Sequence, residues 1–507
     1  MMASGGLFAV FDVRERGEYN DCQIPNTTSL PRSQIELRIA ELVPSRKIPI
    51  VLYDEGGERA QLAAQTFEQL GYEQVSILDG GLGAWQSEGR ETVSGVNVPS
   101  KAFGEKVHHD RNVPDLSPEE LKSLIDGNAE LTILDVRTPE EYGRFCIPGG
   151  LNVPGGDLIL WADEMRRKPM VIVNCAGRTR SIIGTAALRR LGLTNVRALR
   201  NGTMGWVLAG FDLETKPARR GPAANSNSRA QAVTMALSIA AEEKLSWTTA
   251  EALSHLIRDS HETITYLIDV RSEEEYAGGH IAGSIHVPGG QAVQRADDFV
   301  AVRNATIVFI SNHSARAVMT AYWCRQMGFK NVSILQGGLN AWKASGRLLL
   351  VGASDQMPLG LDRAQREAWF VSANRLPDRI KSGDLIVDVG TSLEFERAHV
   401  PGAKWISRGW IDIKLPELFP DRGRHIVLTC PDGKHSVFAA RALTAIGYRN
   451  VSVLDGGLED WLAMDYRTDS GLHDCLVPPN DVVLSPSIRG NKEDMQKYLD
   501  WELKLKH

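Results

Sequence analysis

Residues 131–137 read LTILDVR, an apolar run that closes with Asp-Val-Arg. The same pattern occurs at three other places: FAVFDVR at 8–14, TYLIDVR at 265–271 and DLIVDVG at 384–390. Short apolar runs rich in β-branched residues are typical of strands that are buried on both faces of a sheet. Each copy is therefore predicted to be a central strand of one structural unit.

Two more motifs follow each of these strands. The first, the Glu-Tyr motif, reads EYNDCQIPN at 18–26, EYGRFCIPG at 141–149, EYAGGHIAG at 275–283 and EFERAHVPG at 394–402. The second, the closing motif, reads LDGGLGAW at 78–85, LRNGTMGW at 199–206, LQGGLNAW at 335–342 and LDGGLEDW at 454–461. Because the three motifs recur together at a domain-sized period, the 507-residue chain is predicted to contain four tandem repeats rather than a solenoid.

Strands and helices are expected to alternate within each repeat. In the second repeat, the apolar run at 170–174 predicts a strand, and the spacing of apolar residues over 181–191 predicts a helix. This alternation is typical of an α/β fold, so each repeat is expected to be a mostly parallel sheet flanked by helices. Ligands of such folds bind at the carboxyl ends of the strands, where loops lead into helices.

The motifs also set the expected domain boundaries. Residues 1–100 form a first repeat that is abbreviated at its N-terminal side. The remaining ranges are a second repeat at 113–217, a linker at 218–244, a third repeat at 245–350, a fourth repeat at 369–466 and a tail at 467–507. Ser117 is predicted to cap the first helix of the second repeat, and the tail is predicted to end in a helix over 492–503 that packs on a neighbour rather than carrying chemistry.

Composition argues against several functional classes. The chain carries 57 basic and 63 acidic residues, a net charge of -6, which disfavours a general nucleic-acid binder. No apolar run has the length of a membrane span, and the first residues do not resemble a signal peptide. The six cysteines form no Cys-x-x-Cys pair, so neither a disulfide framework nor a zinc site is expected, and a reducing cytoplasm is the predicted location.

The loop that joins strand to helix in the second repeat reads Cys175-Ala176-Gly177-Arg178-Thr179-Arg180, followed by Ser181. A cysteine at a helix N-terminus beside arginines is expected to have a lowered pKa, and the thiolate is the nucleophilic form. Gly177 is expected to let the backbone curl so that successive amides form a cradle for an anion. Arg178 and Arg180 stay charged at physiological pH and are predicted to flank this cradle.

The equivalent loops of the other repeats lack this combination. They read DEGGER at 54–59, SNHSAR at 311–316 and CPDGKHS at 430–436. The first has no nucleophile and its carboxylates repel anions, whereas the second offers a serine without a positioned base. The third is either a weaker second centre, in which Lys434 and His435 beside Gly433 partly replace the missing arginine around Cys430, or a vestige that serves packing.

As a set, these strands, loops and closing motifs resemble rhodanese domains, and the resemblance extends over nearly the whole chain. It implies a persulfide mechanism, in which an active cysteine takes the outer sulfur of a small anionic donor such as thiosulfate and passes it to a thiophilic acceptor such as cyanide, a thiol or a protein. Carried over to this chain, Cys175 forms the persulfide and residues Ala176 to Ser181 hold the donor, with Arg178 and Arg180 as anion contacts. No metal and no organic cofactor is implied.

Two other functions stay open at this point. The chain is a persulfide carrier or interaction scaffold if the repeats without nucleophiles serve as docking surfaces. A cysteine phosphatase or arsenate reductase is less favoured, because the related phosphatase loop is one residue longer than the loop between Cys175 and Arg180.

Several further side chains are predicted to have structural roles. Cys146 occupies the position held by His280 and His399 in later repeats. It either accepts sulfur from a Cys175 persulfide or protects it as a disulfide, or it is a small side chain that fills space, and packing is favoured. The arginines that follow the Asp-Val pairs are predicted to form ion pairs with neighbouring carboxylates, and the closing tryptophans are predicted to anchor the cores.

Overall fold

The computed structural model describes residues 5–221, 224–259, 264–353 and 357–505. Its internal contacts divide the chain into two compact units. The first unit comprises Met1–Leu7, Asn97–Asp355 and Leu484–His507, so it holds the second and third repeats with the end of the chain. The second unit comprises Phe8–Val96 and Gln356–Val483, which are the first and fourth repeats. Motif spacing does not predict that the first repeat groups with the fourth.

Parallel sheets lie at the centre of all four repeats, as the sequence predicts. In spatial order their strands are Thr28–Ser29, Phe8–Asp12, Ile50–Tyr53 and Val75–Ile77 in the first repeat; Asp115–Leu116, Val196–Leu199, Val171–Asn174, Thr132–Asp135 and Leu151–Asn152 in the second; Ser246–Thr248, Val332–Leu335, Thr306–Ile310, Thr265–Asp269 and Ile285–His286 in the third; and Phe370–Val371, Asn450–Leu454, His425–Thr429, Leu385–Asp388 and Lys404–Trp405 in the fourth. Strands Phe145–Cys146 and Glu214–Thr215 form a separate antiparallel pair, and Val302–Arg303 is a further short strand. The Asp-Val motif ends a central strand in every repeat.

Helices flank each of these sheets. They are Arg16–Asp21, Ile35–Leu42, Arg59–Gln69 and Gly81–Ser87 in the first repeat; Pro118–Asp126, Pro139–Arg144, Leu158–Arg166, Thr179–Arg190 and Gly202–Leu208 in the second; Ala250–Arg258, Glu273–Ala277, Gly289–Gln294, Ala296–Phe299, Ala315–Gln326 and Gly338–Ala344 in the third; and Leu376–Lys381, Ser392–Arg397, Ile411–Leu418, Lys434–Ala445 and Gly457–Ala463 in the fourth. Short 3-10 turns lie at Arg32–Gln34, Gly155–Asp157, Ala373–Arg375 and Arg408–Trp410. Helices outside the repeats are Val98–Asp110, Ser226–Glu242, Leu361–Glu367, Pro486–Arg489 and Lys492–Glu502.

Local signals in the sequence place several helix ends correctly. Ser117 caps its helix as predicted: its hydroxyl accepts from the Glu120 amide, and the Glu120 carboxylate accepts in return from the Ser117 amide. The tail helix, expected over 492–503, spans Lys492–Glu502. The segment 218–244, interpreted as a linker, contains the helix Ser226–Glu242, which packs against Leu158–Arg166 and Ala315–Gln326.

Buried Asp-Arg pairs hold the ends of three central strands, as predicted. Nη2 of Arg14, Arg137 and Arg271 lies 2.7, 2.7 and 2.6 Å from the carboxylate of the aspartate two residues earlier. The fourth repeat has Gly390 at this position, and Asp388 accepts instead from the Gly390 amide and the Thr429 hydroxyl. Without a cation beside it, burial raises the pKa of Asp388 to about 7.

The closing tryptophans also behave as predicted. Trp206, Trp342 and Trp461 are buried in the cores of their repeats, and Trp85 is half-buried. In each repeat the indole N–H donates to the carbonyl six residues later, at 2.8 Å for Trp85 and Trp206, 3.2 Å for Trp342 and 2.9 Å for Trp461. This bond satisfies the one polar atom of an otherwise apolar anchor.

A glycine of each closing motif makes a close backbone contact with the loop that follows the central strand. A Cβ on Gly81, Gly202, Gly338 or Gly457 would lie 2.5, 2.2, 2.2 or 2.4 Å from the carbonyl oxygen of the loop's first residue, and all four glycines have φ between +55 and +63°. Both the positive φ and the missing side chain are required here, so the glycine fixes the height of the loop above the sheet.

Within the described ranges, no helix combines the length and the apolar character needed to cross a bilayer.

We expect Gly338→Ala to destabilise the first unit more than Gly346→Ala does. Both glycines have positive φ, +61 and +78°, so both substitutions carry a backbone cost of about 1–2 kcal/mol. A Cβ at Gly346 meets nothing within 4 Å, whereas one at Gly338 lies 2.2 Å from the Ser311 carbonyl oxygen. Calorimetric melting measures the difference, and equal shifts in the transition temperature would contradict the close-contact argument.

Candidate functional site

The Cys175 loop lies between the strand Val171–Asn174 and the helix Thr179–Arg190. The Cys175 side chain is 2% exposed, and its Sγ lies 3.5 Å from the Ser181 Oγ, to which it donates. The Ser181 hydroxyl donates in turn to the Arg178 carbonyl at 2.8 Å. The predicted residues Cys175 and Ser181 are therefore brought together across the first turn of the helix.

The closing motif holds this loop from the other side. The Cys175 carbonyl accepts from the Thr203 amide at 2.8 Å, and the Ala176 carbonyl accepts from the Met204 amide at 3.0 Å. Gly202 makes the close approach that permits both bonds. The role of this glycine is therefore to let two segments of backbone touch.

Arg180 forms a two-pronged ion pair with Glu141 of the Glu-Tyr motif. Its Nη1 and Nη2 lie 2.6 and 2.8 Å from the two carboxylate oxygens, and the pair lowers the pKa of Glu141 to about 2. The same pair recurs as Arg59 with Glu18 and as Arg316 with Glu275. The pairing of Glu141 with Arg180 is not predicted from the sequence. A signal for it was present, because the glutamate of the Glu-Tyr motif and the arginine of the loop occur together in three repeats.

Arg178 has different partners. Its Nε and Nη2 donate to the two carboxylate oxygens of Glu105 at 2.6 and 2.7 Å, and its Nη1 donates to the Asn201 side chain at 3.1 Å. Glu105 belongs to the helix Val98–Asp110, which precedes the second repeat. The contact of Arg178 with a substrate anion therefore stays a prediction, because Glu105 and Asn201 already bind its guanidinium.

The expected lowering of the Cys175 pKa is wrong for this conformation. Burial raises the pKa of the thiol, and this outweighs the opposing effects of the Arg180 charge and the hydrogen bonds with Ser181. The charge of Arg180 acts in the predicted direction, yet a thiol removed from water still favours its neutral form. If the loop became exposed to water, the Arg180 charge would still lower the pKa of Cys175, and much of the rise caused by burial would be lost.

Gly177 also differs from its expected role. Its φ lies outside the left-handed region, so the loop does not use it for a reversed backbone turn. Glycine is favoured here because there is little room for a side chain: a Cβ would lie 3.0 Å from Met204 Cε and 3.4 Å from both Glu502 Oε2 and Tyr498 Cε1. Two of these neighbours come from the C-terminal helix Lys492–Glu502, which sequence analysis does not place near the loop.

In the first repeat, an aspartate stands where the second repeat has Cys175. The Asp54 carboxylate accepts from the amides of Gly56, Gly57 and Ala60 at 2.7, 3.0 and 2.9 Å. This loop thus points amides at a negative charge supplied by its own first residue. The absence of a nucleophile is as predicted, and Asp54 stabilises its loop rather than simply repelling anions.

In the third repeat, Ser311 is buried and its hydroxyl accepts from the Ala317 amide at 3.4 Å. Among the described residues, the hydrogen bond of this hydroxyl is with a backbone amide, so the lack of a base in this loop stays a prediction.

In the fourth repeat, Cys430 is fully buried in the apolar core and burial raises its pKa to about 12. The contacts of Lys434 and His435 favour the second alternative, a vestige that serves packing, over a weaker centre in which these residues replace the arginine. The Lys434 ammonium lies 2.8 Å from Asp432, and burial together with the charge of Arg408 lowers the pKa of His435 to about 4, so its ring is neutral at pH 7. Gly433 adopts the left-handed conformation, with φ +78°, before the helix begins.

Cys146 is buried, and burial raises the pKa of its thiol to about 11. At the equivalent positions His280 and His399 stack on Tyr276 and Phe395 and bond to the carbonyls of those residues. These contacts favour the packing interpretation of this position.

The model of the rhodanese-like domain family matches four times, at residues 1–88, 117–209, 249–345 and 372–464. The chain belongs to the rhodanese-like family. This confirms both the resemblance and the fold class predicted from the motifs.

Relatives of this rhodanese-like chain include a solved structure that matches nearly end to end. A thiosulfate sulfurtransferase from Pseudomonas aeruginosa superposes with a TM-score of 0.91 at 38% identity, covering 99% of this chain and 94% of that one. A thiosulfate sulfurtransferase of Azotobacter vinelandii is 30% identical over 169 residues, 32% of this chain and 58% of its own. YrkF of Bacillus subtilis (strain 168), provisionally named a sulfur carrier protein, is 30% identical over 96 residues, 19% of this chain and 52% of its own. The chain thus spans little more than half the length of these two curated relatives.

We expect Arg180→Gln to raise the pKa of Cys175 further, because the Arg180 charge lowers it. The thiolate fraction below the pKa then falls, and alkylation of Cys175 by iodoacetamide at pH 8 slows by several fold, since each pKa unit changes that fraction about tenfold. Arg180→Lys should retain part of the rate. The exposed Arg189 on the same helix is the control: if Arg189→Gln slows labelling equally, local charge is not the cause.

Proposed function

We propose that this rhodanese-like protein is a sulfurtransferase that moves sulfane sulfur from thiosulfate or a related donor to a thiophilic acceptor through a persulfide on Cys175. One observation carries the proposal. Among the four equivalent loops, that of the second repeat alone joins a cysteine to the arginine that pairs with the Glu-Tyr motif. The names of the Pseudomonas and Azotobacter relatives agree with this reaction.

Two displacements complete the proposed cycle. The Cys175 thiolate attacks the outer sulfur of thiosulfate, so that a new S–S bond forms on the protein while the S–S bond of the donor breaks and sulfite leaves with its electron pair. A thiophile such as cyanide then attacks the outer sulfur of the persulfide. Thiocyanate departs and the Cys175 thiolate returns, so neither a metal nor an organic cofactor is needed.

The loop residues have separate proposed roles. Arg180, held in place by Glu141, supplies the charge that favours the thiolate and the returning anion. The Ser181 hydroxyl bonds to the sulfur, and the Ser181 amide in the first turn of the helix Thr179–Arg190 adds a backbone hydrogen bond that lowers the pKa of the thiol. Ala176, Gly177 and Thr179 line the place where the rest of the donor would lie, and Arg178 would contact it on release from Glu105.

The six cysteines are all unpaired in the structure. Unpaired thiols suit a reducing compartment, and the cytoplasm is the proposed location of the reaction.

A persulfide carrier is the second candidate function. The observation that favours it is the burial of Cys175, which is 2% exposed, and the name of YrkF points the same way. A carrier would load and unload through a protein partner that opens the loop. Fast steady-state turnover with thiosulfate and cyanide alone argues against the carrier and for the enzyme.

We expect Cys175→Ala to lower thiosulfate:cyanide transfer at least about a thousandfold, because no other group in the loop can hold the sulfur. Cys430→Ala, at the equivalent position of the fourth repeat, is the matched control and should leave the rate unchanged. Peptide mass spectrometry after thiosulfate treatment should find one added sulfur atom on the peptide with Cys175. Loss of activity in Cys430→Ala with retention in Cys175→Ala would refute the assignment.

A further inference from the structure

The C-terminal helix Lys492–Glu502 covers the Cys175 loop. Met495 and Leu499 are buried against Ala176 and Met204, with Tyr498 at the edge of this cluster. The Lys101 ammonium lies 4.6 Å from the centre of the Tyr498 ring and 4.9 Å from that of Trp501. Apolar burial and cation–π contacts thus hold a segment from the end of the chain over residues in the middle of it.

Glu502 is the last residue of this helix, and its side chain points into the loop. It is 1% exposed, and its Oε1 accepts from the Thr179 hydroxyl at 2.5 Å. Its Oε2 lies on the Gly177 side and has no hydrogen-bond partner among the described residues. Lys101 and Arg178 favour the charged form, yet burial and the nearby Glu105 raise the pKa of Glu502.

Such an arrangement is costly for a residue that serves packing alone. A carboxylate oxygen removed from water without a donor destabilises the fold, and leucine at this position would avoid that cost. What the carboxylate does contact is the Thr179 hydroxyl of the loop in which the sulfur donor is proposed to lie, and its second oxygen occupies the space beside Gly177. Asp54 shows that the equivalent loop of the first repeat holds a carboxylate through its amides.

We propose that the C-terminal helix is a built-in cover of the Cys175 loop, and that the Glu502 carboxylate competes with the anionic part of the sulfur donor for the same position beside Gly177 and Thr179. The proposal rests on the function proposed above for its choice of donor, but the cover and its charge can be tested without any sulfur transfer. Glu502 is then a specificity-determining residue. It disfavours strongly anionic donors until the helix moves aside.

Alkylation of Cys175 in the full-length protein tests the cover, with rates measured by peptide mass spectrometry. The two reagents are neutral iodoacetamide and anionic iodoacetate, which differ little in size. Leu499→Ala removes apolar contacts of the helix and should speed labelling by both reagents at least about fivefold, because transient opening becomes more frequent. A melting curve of each variant shows whether the whole unit, rather than the helix alone, has been weakened.

Glu502→Gln tests the charge. The amide keeps the size of the side chain, so iodoacetate labelling should rise at least about fivefold more than iodoacetamide labelling, as expected for removal of one buried negative charge near the thiol. Asp500→Asn is the matched control, since Asp500 is exposed on the same helix and bonds to Gln496. It should change neither rate.

The outcomes separate cleanly. If Leu499→Ala leaves both labelling rates unchanged while the unit melts normally, the helix is not a cover and the proposal fails. If Glu502→Gln speeds both reagents equally, or Asp500→Asn favours iodoacetate as strongly, the carboxylate does not compete with anions. A selective gain for iodoacetate supports the proposal even if thiosulfate proves not to be a donor, in which case the proposed function alone is overturned.

Discussion

The close contact between the closing-motif glycine and the first carbonyl of the loop is the constraint on which each site depends. In the second repeat, Gly202 lies against the Cys175 carbonyl, and the amides of Thr203 and Met204 then reach the two carbonyls at the start of the loop. This contact fixes the loop above the sheet before any side chain chemistry is considered. The Arg180–Glu141 pair adds a second attachment at the far end of the loop.

With the backbone fixed in this way, the first residue of the loop decides what each repeat can do. Asp54 supplies a negative charge that three amides bind, Ser311 supplies a weak acceptor, and Cys430 is absorbed into an apolar core. Only Cys175 is combined with the loop arginine. The missing arginine of the fourth repeat is part of a wider change, because Gly390 also replaces the arginine that pairs with the strand-end aspartate elsewhere.

The fold could be predicted from the sequence because its signals are local. Apolar strand runs, the Ser117 cap and the closing tryptophans each report their own surroundings, and the repeats reinforce one another. The candidate site was only partly predictable. Cys175, Arg180 and Ser181 lie within seven residues and are predicted together. Glu105 and Glu502 approach from other elements, which a local pattern does not reveal, and Glu141 is indicated only by the recurrence of its motif across the repeats. The predicted direction of the Cys175 pKa shift is wrong because the burial of the thiol, which raises its pKa, cannot be read from the loop sequence.

The Asp54 loop has a consequence for how such chains diversify. Three backbone amides of this loop donate to the Asp54 carboxylate as they would to a bound anion. The loop therefore keeps its shape with no ligand and no reactive group. Exchanging the nucleophile for a carboxylate can therefore remove the reactive group from a repeat while leaving its sheet and its contacts intact. The shape of this loop therefore does not require a cysteine at its first position.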